Sequence, residues 1–160
     1  MTDQNRTNWL LQALFTASST ATFTPGTGGG SALVISPPYH LRLMTTAGSN
    51  TVNGTELAGT GGYLQGSVPS NSLGTTFCAA PSGGIMSNSN LVSWNATGTW
   101  STVNGIEIWD AAGTPLRWLQ GAITAITGVV NGDTVSFAVS SISLNASQWL
   151  GQVRWYKSNN

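Results

Sequence analysis

Short segments in which apolar and polar residues alternate recur along this chain, and each ends in a cluster of Gly, Pro, Asn or Asp. The clearest segment is 105–110, where Ile106 and Ile108 point one way and Glu107 and Trp109 the other. A turn follows at 111–115 and the chain returns over 116–120, which predicts a β-hairpin. Turn signals at this spacing, roughly every 8 to 12 residues, predict an all-β fold built as an antiparallel, jelly-roll-like β-sandwich.

The other predicted strands follow the same rule. In the first of them, Tyr39, Leu41 and Leu43 share one face, and His40, Arg42 and Met44 share the other. In the last, the parity of the apolar residues changes, which predicts a β-bulge near Ser140 and Ser141. These strands cover residues 39–45, 63–68, 75–79, 91–100, 122–127 and 134–144.

Both ends of the chain differ from this pattern and divide it into an N-terminal arm (1–17), a β-sandwich domain (18–144) and a C-terminal tail (145–160). Residues 8–15 form about two turns of an amphipathic helix, which is too short to be stable without docking. The tail is too apolar to remain in water, so we expect it to pack on its own domain or on a neighbouring subunit. Its apolar residues are Trp149, Leu150, Val153, Trp155 and Tyr156.

Charge is scarce, and this excludes several classes of protein. Only 6% of the 160 residues are charged and the formal net charge is zero, where about 25% is usual. With Lys157 as the only lysine, we expect no nucleic-acid binding, which draws its affinity from Lys and Arg on phosphates. No apolar run or basic leader predicts a membrane span or a secretory signal. Cys78 is the single cysteine, which excludes an internal disulfide.

Candidate catalytic residues are few, and we expect no catalytic, cofactor or metal site. His40 is the only histidine, so any triad would need it, and we interpret it as a structural side chain with satisfied hydrogen bonds. Glu107 and Asp110 lie on opposite faces of one strand and so cannot flank a glycosidic bond. Glu107 is expected to be solvated or paired with Arg, and Asp110 to support a turn.

Seven tryptophans need an explanation. Trp and Tyr are enriched in protein interfaces, where Lys and Glu are depleted, and this chain has that composition throughout. We therefore expect the tryptophans to lie in the core or at subunit contacts. An exposed row that stacks on sugar rings is the alternative, with Trp94 and Trp118 as the residues to test.

Several motifs, in the same order along the chain, resemble a family of small tailed-bacteriophage virion proteins described as tail-fibre or head-decoration proteins. The opening helix at 9–15 is similar to the family's, as are the strand 39–46, the Glu-Leu-x-Gly-x-Gly-Gly-Tyr-x-Gln run from Glu56 to Gln65, the strand 100–110 and the Asn-Gly-Asp turn at 131–133. Leu64 departs from the pattern, because the family has an Arg there that would pair with Glu56.

The resemblance implies a non-enzymatic structural protein of the virion, assembled in the host cytoplasm. We expect a cement protein that stabilises the head shell by binding the major capsid protein or other virion proteins across capsomers, as a homo-oligomer, a trimer by the symmetry of a shell. A tail-fibre module that recognises cell-surface carbohydrate is the alternative, and a virion-borne glycosidase or peptidase is a third. We expect the contacts to be made by Trp9, Leu10, Phe15, Trp149, Leu150, Trp155 and Tyr156.

Overall fold

The computed structural model describes residues 8, 11–12, 21–23, 32–65 and 82–145, and it has an all-β fold. All of its strand pairs are antiparallel, as predicted. The strands are β1 (Ala21–Phe23), β2 (Leu33–Ile35), β3 (His40–Thr46), β4 (Thr55–Glu56), β5 (Ile85–Ser87), β6 (Val92–Asn95), β7 (Val103–Trp109), β8 (Arg117–Ile126), β9 (Thr134–Phe137) and β10 (Ser143–Asn145).

The largest sheet has four strands in the order β4-β3-β7-β8. The predicted hairpin is confirmed, since β7 pairs with β8 and Ile108 lies opposite Leu119. The separate strand predicted over 122–127 is wrong. These residues continue β8, because no Pro, Asn or Asp interrupts the run from Arg117 to Ile126 and its β-branched residues favour extension.

Three two-stranded ladders accompany this sheet, formed by β1 with β2, β5 with β10 and β6 with β9. The bulge predicted near Ser140 is wrong, because the chain makes a turn there. Ser140 has a φ of 63°, and its N–H donates to the Asn88 carbonyl at 2.9 Å. The turn moves the chain from its pairing with β6 to a pairing with β5, so β9 and β10 are separate strands.

One hydrophobic core joins the four-stranded sheet to the β5–β10 and β6–β9 ladders. Its members include buried side chains from both sides, namely Leu41, Leu43 and Ile108 from the sheet and Val92, Trp94, Met86, Val135 and Leu144 from these two ladders. Tyr63 lies between Trp94 and Trp100, with ring centroids 6.3 and 5.9 Å away. Aromatic pairs at this separation add to the free energy gained from burial alone.

The N-terminal arm contacts this same core where the structure describes it. The backbone is helical at Asn8, Leu11 and Gln12, and Leu11 is fully buried in the core cluster. The Asn8 Oδ1 atom accepts a hydrogen bond from the Gly84 N–H at 2.8 Å.

The strand predicted over 63–68 is not formed at residues 63–65. Residues 66–81, which hold the predicted strand 75–79 and Cys78, lie outside the described residues, as does 146–160.

Candidate functional site

One face of the four-stranded sheet carries most of the charge in the described part of the chain. Cross-strand partners share a face, and Arg42 of β3 lies opposite Glu107 of β7, as His40 lies opposite Trp109. Leu41 and Leu43 point the other way, into the core. The strand alternation therefore separates an apolar face from a polar one, as the sequence predicted for β3 and β7.

Glu107 is the centre of the polar face and is completely buried. Its Oε1 atom accepts hydrogen bonds from the Arg117 guanidinium at 2.9 Å and from the Gly54 N–H at 2.7 Å. Its Oε2 atom accepts one from the Trp109 indole at 2.9 Å. The sequence predicted that Glu107 is either solvated or paired with Arg. The pairing with Arg is confirmed, and the solvated alternative is wrong.

Arg117 ties the loop 47–54 over this carboxylate. Its guanidinium donates to the carbonyls of Val52 at 2.8 Å and Ser49 at 2.6 Å, in addition to Glu107. Glycine is required at position 48, where a Cβ atom would collide with the Glu107 carboxylate and lie 2.5 Å from the Arg117 guanidinium. The loop excludes water from the ion pair, which strengthens the interaction but makes the loss of either partner costly.

A second ion pair lies beside the first. The guanidinium of Arg42 is 3.5 Å from the carboxylate of Glu56 and 4.3 Å from the ring centroid of Trp109. The Tyr63 hydroxyl donates to Glu56 at 2.8 Å and accepts from the Leu43 N–H at 3.1 Å. Burial raises the pKa of the Tyr63 hydroxyl, so its proton is available for that bond.

Arg42 therefore provides the partner that Leu64 cannot. Leu64 is 56% exposed, and Glu56 takes its ion pair from the adjacent strand. The Arg42–Glu56 pair could not be predicted because it depends on the register between β3 and β4. β4 begins nine residues after β3 ends, and neither segment alone indicates that Glu56 lies opposite Met44.

Asp110 supports the hairpin turn, as predicted from its position. It is completely buried, and its Oδ1 atom accepts from the N–H groups of Leu116 at 2.8 Å and Ala112 at 3.3 Å. Its Oδ2 atom accepts from the Trp118 indole at 3.1 Å. The carboxylate thus fixes the loop between β7 and β8 and is not accessible to a substrate.

His40 is buried, but the prediction that its hydrogen bonds are satisfied is wrong. Neither ring nitrogen has a hydrogen-bond partner among the described residues, and only 4% of the residue is exposed. Burial lowers the pKa of His40, with Arg42 acting in the same direction and Asp110 against it. A neutral imidazole packed as an apolar ring fits this environment.

The inward charges leave the surface of the described part nearly uncharged. Arg42, Glu56, Glu107 and Arg117 form the two ion pairs and Asp110 is buried, so Asp133 is the exposed charged residue there. Its carboxylate accepts from the Val130 N–H at 2.8 Å within the predicted Asn-Gly-Asp turn. The described residues include no group of His, Cys, Asp and Glu that could hold a metal ion, and no helix among them could cross a membrane.

The four tryptophans in the described part are all at least partly covered. Trp94 and Trp100 are buried in the core, and Trp109 and Trp118 are half-buried. The candidate role of Trp94 as an exposed sugar platform is therefore wrong. Trp118 lines an open cavity of about 380 Å³, with both polar and apolar walls, together with Asn50, Arg117, Leu119 and Gln120.

The seven predicted contact residues, namely Trp9, Leu10, Phe15, Trp149, Leu150, Trp155 and Tyr156, lie outside the described residues. Their role at subunit contacts stays a prediction.

A further surface was not predicted from the sequence. This is the outer edge of β8, which is the last strand of its sheet and has a partner, within the described ranges, only on the β7 side.

Comparison with known proteins assigns the chain to a family. No characterised protein and no solved structure matches the chain. The family profile described as "Podophage GP4 fiber I protein gp80" matches residues 27–145, which is well over half of the chain and includes β3 to β10. The chain therefore belongs to the podophage GP4 fiber I protein gp80 family and is a structural protein of a phage virion.

Proposed function

We propose that this protein is a non-enzymatic subunit of a virion fibre, which acts by making contacts with other virion subunits. One observation carries the proposal beyond the family assignment. The charged side chains of the described part, Asp133 excepted, are used inside the fold. Apart from Asp133, the outer surface of the described part is left to uncharged residues, which cost less to desolvate in a contact than Lys or Glu.

The buried carboxylates also support a structural role. Catalysis by a general acid or base requires a titratable group that can reach a substrate. Glu107 and Asp110 are completely buried, and each already accepts three hydrogen bonds from its own chain. The hydrogen bonds of these two carboxylates therefore hold the loop 47–54 and the β7–β8 turn in place.

A fibre subunit of this kind is expected to work as a homo-oligomer, and we propose a trimer bound to other virion proteins. A closed symmetric assembly would cover the uncharged surfaces, which carry little repulsion to keep subunits apart. A cement protein on the head shell is the second arrangement that suits the same surface. The family description, which names a fibre, favours the fibre.

The copy number and position of the protein on the virion test this proposal. We would count its copies by quantitative mass spectrometry of purified virions and locate it with antibody-gold labelling. A small number of copies at the tail is the expected result. Hundreds of copies over the head would replace the fibre with the cement role. A protein absent from purified virions would contradict both structural roles.

Recognition of cell-surface carbohydrate is a second candidate function, favoured by the cavity at Trp118. An aromatic ring beside the amides of Asn50 and Gln120 offers both a stacking surface and hydrogen bonds to a sugar. We expect Trp118→Ala to abolish binding on a glycan array, while the exposed control Leu116→Ala leaves it unchanged. The same glycan signal from both variants, or none from the unsubstituted protein, would dismiss this function.

A further inference from the structure

The outer edge of β8 is long and carries no charge along most of its length. The strand runs for ten residues, and from Trp118 to Ile126 every residue is uncharged. Open edges of this kind present a row of unpaired N–H and C=O groups and readily pair with another strand. Proteins usually protect such an edge with Lys, Pro, a bulge or a covering segment. β8 has no Lys or Pro, and its register with β7 shifts near both of its ends, which leaves Leu119 to Ala122 as the regular part of the edge.

An apolar cavity of about 190 Å³ lies beside this edge. It opens between the apolar face of β7 and β8 and the strand β10, and its lining includes Ile106, Ile108, Leu119, Ile142 and Leu144. An apolar cavity of about 150 Å³ is large enough for a benzene ring. This cavity can therefore take one aromatic side chain.

Asn145, the last residue of β10, also lines the cavity, so the segment 146–160 begins next to its wall. The following residues, 146–160, include a segment with the alternation of a strand. Val153 and Trp155 would share one face, and Gln152, Arg154 and Tyr156 the other. A strand added to β8 would place one of these faces toward the cavity, and the Val153 and Trp155 face is the apolar one.

We propose that the segment 152–156 of the tail pairs with the outer edge of β8 in the same chain and inserts the Trp155 indole into the apolar cavity. This extends the sheet by β-strand addition, in which backbone hydrogen bonds give affinity and the cavity gives the register. It goes beyond the proposed function, because an edge covered in this way protects the subunit wherever it sits in the virion.

The tether favours the chain's own tail over that of a neighbour. Trp155 lies ten residues beyond Asn145, a reach of at most about 35 Å when extended. The cavity begins at Asn145 itself. In the unassembled subunit, a segment attached at the edge of its binding site has an effective concentration in the millimolar range, which a second copy in dilute solution does not reach, so the chain's own tail is placed to dock before subunits assemble.

Disulfide trapping in the full-length chain tests this docking. In a Cys78→Ser background, Leu119→Cys is combined with Val153→Cys, which shares the face of Trp155 and leaves its indole in place, and the matched control combines Leu119→Cys with Ser158→Cys. We expect the first pair to form an intrachain disulfide at least about tenfold faster than the control, with the product migrating as a monomer. Equal rates for the two pairs would overturn the proposal. So would disulfide-linked dimers, which would identify the tail of a second copy as the occupant.

Two further variants separate this proposal from its alternatives. If the segment 66–81 covers the edge, Leu119→Cys will react faster with Thr76→Cys than with Val153→Cys, which would overturn the proposal. Deletion of 146–160 should expose the β8 edge and raise self-association in sedimentation, and adding Ala122→Lys to the deleted chain should reverse this. A deletion that instead dissociates an oligomer would contradict intrachain docking. None of these results depends on where the protein sits in the virion.

Discussion

At the scale of single residues, the few charged side chains of the described part link separate segments of the chain inside the fold. Glu107 is the clearest case, since three donors from three segments converge on one buried carboxylate. Removing one partner of a buried pair costs more than the pair contributes, because the remaining charge keeps its desolvation penalty. The stability of this chain should therefore be concentrated in a small number of polar residues.

Glu107→Gln should lower the free energy of unfolding by about 3 kcal/mol, because it leaves the Arg117 guanidinium without a counter-charge on a largely buried side chain. Urea unfolding of the variant measures this loss. The double variant Glu107→Gln, Arg117→Met is the control and should recover part of the loss, since both charges are then gone. A loss below about 1 kcal/mol, the range of a surface pair, would contradict the buried role.

His40 should make the protein less stable in mild acid. Because burial lowers its pKa in the folded state, the unfolded chain binds a proton first as the pH falls. Its contribution to stability is complete above about pH 6.5, the pKa of an unperturbed histidine, and declines as the pH falls below that value. Urea unfolding at about pH 7.5 and about pH 5.5 should show a smaller difference in His40→Phe than in the unsubstituted protein. Equal differences would show that His40 does not titrate in this way.

At the scale of elements, the four-stranded sheet depends on what covers its polar face. The loop 47–54 is held by Arg117 and Glu107, by the Asn50–Gln120 contact at 3.2 Å and by the small size of Gly48 and Gly54. These contacts join residues that are far apart in sequence. A change in the loop is therefore a change in the packing of β3, β7 and β8.

Gly48→Ala should destabilise the protein by about 1–3 kcal/mol, because the new methyl group would displace the Glu107 carboxylate from its donors. Thermal and urea unfolding measure the effect. Gly113→Ala is the matched control, since nothing lies within 4 Å of its Cβ position and its φ is not in the left-handed region. Equal free energies of unfolding for the two variants would contradict the tight packing of the loop 47–54 around Gly48.

At the scale of the whole molecule, the described part of the surface carries almost no exposed charge. Asp133 is the exposed charged residue of that part, and it belongs to a turn. The polarity of this surface comes mainly from Ser, Thr and Asn, which are uncharged and do not repel one another. Such a surface is suited to packing against further subunits, and it makes the protection of the β8 edge important.

Salt should have little effect on this protein. Ions screen exposed charges well and buried pairs poorly, so raising NaCl from about 0.05 M to about 0.5 M should change the free energy of unfolding by less than about 0.5 kcal/mol. The oligomeric state should be equally insensitive over this range, as sedimentation would show. A strong dependence on NaCl would mean that the ion pairs of Glu107 and Arg42 are accessible to solvent.

The sequence by itself determined the fold class, the β7–β8 hairpin, the strand at β3 and the turns at Asp110 and Asp133, because alternation and turn chemistry act over a few neighbouring residues. It also showed that charge would be scarce. Only the tertiary structure decided that Glu107 is buried, that Arg42 pairs with Glu56, that His40 lacks partners in the described part, and that β8 is an outer strand. These depend on strand order, register and a covering loop, which are set by contacts between distant segments.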